Sequence, residues 1–214
     1  MNRFSARPIL AILAFTIAAG ATAFSIYHSS AVMSPSVRSS DEGLEADEYA
    51  VYSSLIRERF LEKGVKLLVI QRQTLFYANP DYLKITPSDE RIQDLKKYCP
   101  SVDEEALRDF DDKHMSSHEL SANFDLPLKY VLVDKPENST PEKERLFVDE
   151  FYRKYPETSG MIGLSKIGFN KDRSQAFLRI EFTFCPLCSF GQKVLLKKEW
   201  GKWKIADTFG GWAS

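Results

Sequence analysis

From Gly160 to Trp212 apolar and polar residues alternate so as to predict four consecutive β-strands. The alternation is plainest in Gln175–Phe184 and in Trp203–Asp207. A period of two puts Leu178, Ile180, Phe182 and Phe184 on one face, against a core, and leaves the other face to water. Cys185-Pro-Leu-Cys188 falls where a strand over 175–184 turns into one over 192–200. Gly201-Lys202 marks the following turn.

Upstream the period changes. Leu44, Tyr49, Tyr52, Leu55, Ile56 and Phe60 recur at spacings near three and four, which predicts an amphipathic helix over Leu44–Lys63. Glu58, Arg59, Glu62 and Lys63 suit its solvated side, and Gly64 ends it. Lys66–Thr74 reads as a strand whose run Leu67-Leu-Val-Ile70 is continuous enough to be buried on both faces. A loop follows over Tyr77–Pro87 around Asn79-Pro80-Asp81. Ser88–Tyr98 reads as a helix stopped near Pro100. Ser101-Val-Asp-Glu104 is a capping-box pattern that opens another helix, to about Met115. Ser116–Leu128 is irregular, Tyr130–Asp134 a short strand, and 136–141 a polar turn. Glu142–Tyr155 is a helix with Leu146, Phe147, Phe151 and Tyr155 on one side. Helices early and strands late give an α+β domain over 43–214: N-terminal helices packed on one face of a mainly antiparallel sheet, with a C-terminal four-stranded meander.

The N-terminus reads differently. Arg3 and Arg7 precede an uncharged stretch, Ile9–Phe24, and Ala21-Thr-Ala23 has small residues where signal peptidase cuts. The expectation is a signal peptide over 1–23 and an exported protein, in the periplasm or at the cell surface. The alternative is an uncleaved anchor in the membrane over residues 8–27. No cysteine follows the apolar run, so a lipoprotein is disfavoured. Residues 24–42 are rich in Ser and small polar types and read as a disordered tether. Removing 1–23 takes Arg3 and Arg7 from the 29 basic residues, leaving 27 against 30 acidic. That balance gives no drive toward nucleic acid, and any membrane contact is expected only through the N-terminal segment.

Candidate chemistry is sparse. Of the three cysteines, Cys185 and Cys188 are near neighbours and form the expected disulfide in an oxidising compartment, with Cys99 left over. Read as a redox motif, the pair lacks the helix N-terminus that lowers a thiol pKa. A zinc site would combine it with His114 and His118, spaced i,i+4, but the pairs lie far apart in sequence. Neither a metal nor a cofactor is expected. Adjacent Ser165 and Lys166 point to opposite faces of a strand and form no dyad; Ser165 reads as a surface residue. The acidic run Asp103–Asp112 reads as a solvated helix face. His28 lies in the tether, and Asn138-Ser-Thr140 is a glycosylation sequon. Phe182, Phe184, Trp200, Trp203 and Phe209 are expected mostly in the core. Phe190, expected to be exposed, and Trp212 make a possible contact surface.

Several motifs occur in order: Tyr49-Ala-Val-Tyr52, an apolar strand ending at Thr74, Phe151-Tyr-Arg-Lys-Tyr-Pro156, Leu164-Ser-Lys-Ile-Gly-Phe-Asn170, a Cys loop over Cys185–Gly191, and Gly201-Lys-Trp-Lys-Ile205. In these the chain resembles a broad set of small exported bacterial proteins of unknown function. The resemblance implies a fold and a compartment but no activity and no catalytic residue. The chain has Pro186 and Phe190 where that pattern is glycine-rich. The reading that follows is a non-enzymatic domain binding an envelope protein or a small ligand. The alternative is an enzyme with a dispersed site, most concretely thiol–disulfide chemistry at Cys185 and Cys188. A cavity between helices and a curved sheet, by analogy with the NTF2-like fold, would favour a small ligand.

Overall fold

A computed structural model describes residues 41–61, 64–77, 85–136, 140–185 and 188–213. The expected signal peptide and anchor, residues 24–40 of the expected tether, His28, and Asn138 with Ser139 lie outside them; residues 41 and 42, expected to close the tether, instead open the first helix. The elements are α1 (Asp41–Phe60), β1 (Leu67–Gln71), α2 (Ser88–Tyr98), α3 (Glu104–Lys113), β2 (Lys129–Val133), α4 (Pro141–Lys154), β3 (Thr158–Leu164), β4 (Gly168–Phe169), β5 (Gln175–Cys185), β6 (Cys188–Glu199) and β7 (Lys202–Ala213). The strands form one sheet in the order β2-β1-β3-β5-β6-β7, with β4 paired to the start of β5. β1 runs parallel to β2 and β3, and every later pairing is antiparallel. The fold is therefore α+β with a mostly antiparallel sheet that ends in a meander. The two parallel pairings need long crossovers. These carry α2 and α3 between β1 and β2, and α4 between β2 and β3.

Helices cover both faces of the sheet, not one. On the first face α1 buries Tyr52, Leu55 and Ile56 among Leu68, Ile70, Ile162, Leu178, Val194 and Trp203. On the second, Leu107 and Phe110 of α3 meet Phe177, Leu195 and Phe209. Further along that same face Phe151 of α4 packs on Val69 and Met161. This explains why 67–70 is an unbroken apolar run, as its sequence implies. It also explains why β5 departs from simple alternation. Ala176 and Leu178 face α1 while Phe177 is buried under α3. From Arg179 onward the second face of β5 is polar, with Arg179, Glu181 and Thr183.

Local details differ from the sequence reading for physical reasons. Asp103, not Ser101, caps α3, accepting from the Glu105 N–H at 3.0 Å. The Ser101 hydroxyl instead donates to Asp207. Leu146 is exposed, because α4 turns Phe147 and Phe151 inward. Asp111, in the acidic run, is fully buried and bidentate to Arg91, at 2.9 and 2.6 Å; the pair locks α2 to α3. Its neighbour Asp109 accepts from the Phe169 N–H and from Lys113. Ser165 is buried rather than at the surface. Its hydroxyl donates to the Lys166 carbonyl and accepts from the Arg179 N–H, and its own carbonyl accepts from the Tyr52 hydroxyl.

Candidate functional site

Cys185 and Cys188 lie at disulfide-bonding distance, with Cα atoms 4.8 Å apart. They pair in register across the tip of the β5–β6 hairpin, after a shift at Thr183. The strands thus run on to 185 and resume at 188, and the connection is shorter than the expected loop up to 191. A strand lies on each side and neither cysteine opens a helix, so the geometry supplies no helix dipole to activate a thiol. Phe190 is half-buried against Phe182, with ring centroids 5.7 Å apart, rather than exposed. Phe184 is the exposed aromatic of that hairpin. Trp212 is 43 % exposed and lies over Gly191, on the face opposite Phe190. The expected contact pair is thus split between two faces. His114 is buried at the end of α3 and His118 is exposed beyond it. No group of three or more His, Cys, Asp or Glu able to hold a metal occurs among the described residues.

The polar stretch of the second face builds a cleft of about 380 Å³. Arg179 of β5, Gly191 and Lys193 of β6 and the β7 segment 210–212 line its floor; Phe110, His114 and Tyr77 line its wall. Gly191 matters here: a Cβ on it would meet the Trp212 indole at 2.4 Å, so the missing side chain lets the indole lie on the strand. His114 stacks on Phe110 and meets Tyr77 edge-on, both at 4.7 Å between centroids. Its Nδ1 is buried without a hydrogen-bond partner among the described residues. Burial first, then the Arg179 charge and least the Lys193 charge, push its pKa down to about 4, against an opposing pull from Asp111. The ring is therefore neutral at pH 7. The Tyr77 hydroxyl donates to Asp111, which already accepts from Arg91 and Ser88, so the wall is tied to a buried ionic network.

The charges of the cleft do not cancel. Arg179 is paired with Glu181, and Arg91 with Asp111. The Lys193 side chain is half-buried and makes no hydrogen bond or ion pair with any described residue. A partly desolvated ammonium with no counter-ion gains from an anion that enters. A larger groove, about 840 Å³, runs between α1 and β7 along Ala50, Ser53 and Ser54. There Arg57 is paired with Asp125, and Glu58 accepts from the Ile205 N–H. Size favours the groove, and Lys202 on its rim also lacks a described counter-ion, but Lys202 is exposed whereas Lys193 is half-buried beside Phe110 and His114, so desolvation of the charge favours the cleft.

Nothing in the sequence points to the cleft as a unit. Lys193 and Arg179 read as solvent-face strand residues, and His114 entered only as a metal candidate. The one available signal is that Arg179 and Lys193 are register partners, with Glu181 two residues on, directly after the buried second-face pair Phe177↔Leu195. No protein-family model, curated protein or solved structure matches the chain.

Proposed function

We propose that the protein is an exported, non-enzymatic binding domain that holds a small organic monoanion in the cleft between α3 and strands β5–β7. The observation that carries this reading is the unpaired Lys193 beside the neutral, buried His114. With two ion pairs self-cancelled and the histidine uncharged, the cleft is left with one positive charge. A carboxylate is the matching head group: it accepts from the lysine ammonium and from an imidazole N–H. Phe110, Tyr77 and Trp212 offer flat apolar surface to the rest of the ligand. The volume suits a molecule of one or two rings. Export rests on the charged, apolar and small-residue order of residues 1–23, and the Cys185–Cys188 pair at disulfide-bonding distance is compatible with it.

Benzoate and its neutral isostere benzamide test this. Benzoate is expected to quench tryptophan fluorescence and raise Tm, with benzamide weaker. Lys193→Met should weaken benzoate binding about tenfold, the loss of one charge-assisted hydrogen bond, while leaving the fold intact. Gly191→Leu, which displaces the Trp212 indole, should abolish it. Equal binding of benzoate and benzamide, or benzoate binding untouched by Lys193→Met, would remove the anion reading. No response to either compound would remove the cleft as the site.

A further inference from the structure

Trp200 stands at the tip of the β6–β7 hairpin, 99 % exposed. Its φ is +51°, and that of Gly201 is +77°, which is the left-handed pair of a two-residue turn closed by Glu199 and Lys202. Asn or Asp ordinarily fills the first of these positions; a bulky side chain there is strained and, when fully exposed, gains no burial to offset it. Folding therefore does not account for a tryptophan at this place, and a residue strained without folding benefit points to a contact.

The surroundings say what kind. In the pairing register Lys202, opposite Glu199, lies one residue behind the tip, Lys198 two, and Lys197 and Lys204, opposite each other, three, so the lysines are spread over about 3–10 Å behind Trp200 along the strands. The acidic groups beside them are already engaged: Glu199 by Lys204, and Asp47 by Arg173 and Lys198. Lys202 is exposed and makes no ion pair with a described residue. An indole at the tip with ammonium groups about 3–10 Å behind it suits the depth from lipid phosphates to the acyl boundary. The Lys198–Asp47 contact also places this tip beside the N-terminal half of α1. The chain's net charge is negative, yet the stretch Lys197–Lys204 holds four lysines against one glutamate, so the local field has the opposite sign.

We infer that the β6–β7 hairpin tip is a membrane-contact device: Trp200 enters the interface of an anionic bilayer while Lys197 and Lys202, which no described carboxylate engages, meet its phosphates. The cleft, near the far end of β7, then faces away from the bilayer. Trp212 is about 33 Å along the strand from Lys202 and serves as an internal control, and Trp203 is buried.

The test uses the full chain with vesicles of phosphatidylcholine and phosphatidylglycerol whose acyl chains are brominated near the glycerol, so that only an inserted indole is quenched. The wild type is expected to be quenched, and Trp200→Asn to lose most of that quenching while staying folded. Lys202→Glu should reduce it, and vesicles of phosphatidylcholine alone should give less than the mixture. Quenching equal in the wild type and Trp200→Asn, or absent from both, overturns the inference. Quenching that depends on Trp200 but is the same without phosphatidylglycerol overturns the lysine–phosphate part of it. Co-sedimentation of the Trp200→Asn chain with vesicles to the same extent as the wild type, with neither quenched, would assign the contact to the N-terminal segment and overturn the hairpin's role.

Discussion

Burial decides the chemistry of single residues in this protein more than residue type does. His114 is the clearest case. In the unfolded chain its imidazole titrates near the ordinary value of about 6.5. Folded, burial chiefly, with Arg179 and Lys193, pushes it down to about 4. Between these values the unfolded chain binds a proton that the folded one refuses. The stability His114 confers is therefore complete above pH 6.5, falls as the pH drops toward 4, and is flat below. The gap corresponds to roughly 3 kcal/mol at most. Urea unfolding from pH 7 to 4 should show this decline, and His114→Phe should flatten it. A decline unchanged by the substitution would assign it to other groups. Asp111 behaves by the same rule with opposite consequences. Replacing it by Ala leaves the Arg91 guanidinium buried without its carboxylate, for which a loss of about 3–5 kcal/mol is expected in the same assay. A loss under about 1 kcal/mol would mean that water reaches the pair.

At the scale of elements, the closest contact between layers is where α3 crosses β4. A Cβ on Gly168 would lie 2.2 Å from the Ala106 carbonyl oxygen and 2.4 Å from the Phe110 nitrogen. Those atoms are backbone and cannot rotate away. Gly168→Ala should therefore cost about 3 kcal/mol or more through displacement of α3. Calorimetry decides this, and an unchanged Tm would show that the helix can lift off the strand at little cost. This contact also marks how far the sequence could be read. The period of three to four in 44–60 and the alternation in β5–β7 revealed the elements, because each has one face whose burial dominates its composition. The unbroken run 67–70 revealed a strand covered on both sides. What stayed hidden was which helix covers which stretch. Phe177 looks like an outward strand residue until α3 is placed on it, and Asp111 looks like one more surface carboxylate until Arg91 arrives from twenty residues upstream. Such pairings are tertiary and leave no local period. The cleft is hidden for the same reason, since it forms on the second face where α3 ends, with Phe110 and His114 as its wall.

For the molecule as a whole, function and redox compartment meet in the cysteines. The Cys185–Cys188 bond closes a very short loop, so it restricts the unfolded chain little. Replacing both by Ser should cost about 2 kcal/mol or less and leave the cleft's benzoate response in place, because the hairpin register is also held by the pairs from Gln175↔Lys197 to Thr183↔Ser189. Cys99 is buried in the cluster between α2, α3 and the sheet, and burial pushes its thiol up to about 11. It is therefore protonated and shielded at neutral pH, and slow to react in the folded state. Two counts follow from the proposal that the protein is exported. Folded and unreduced, it should release no thiolate reactivity toward a thiol reagent on the timescale of minutes. Unfolded without reductant, it should give one reactive thiol per chain, and peptide mapping should place it at Cys99. Three reactive thiols on unfolding would mean the hairpin pair is reduced in the protein's own compartment, and the case for export would lose its second support. Rapid reaction in the folded state, mapped to Cys99, would mean that α2 opens readily from α3, and the Arg91–Asp111 lock would then be weaker than its geometry implies.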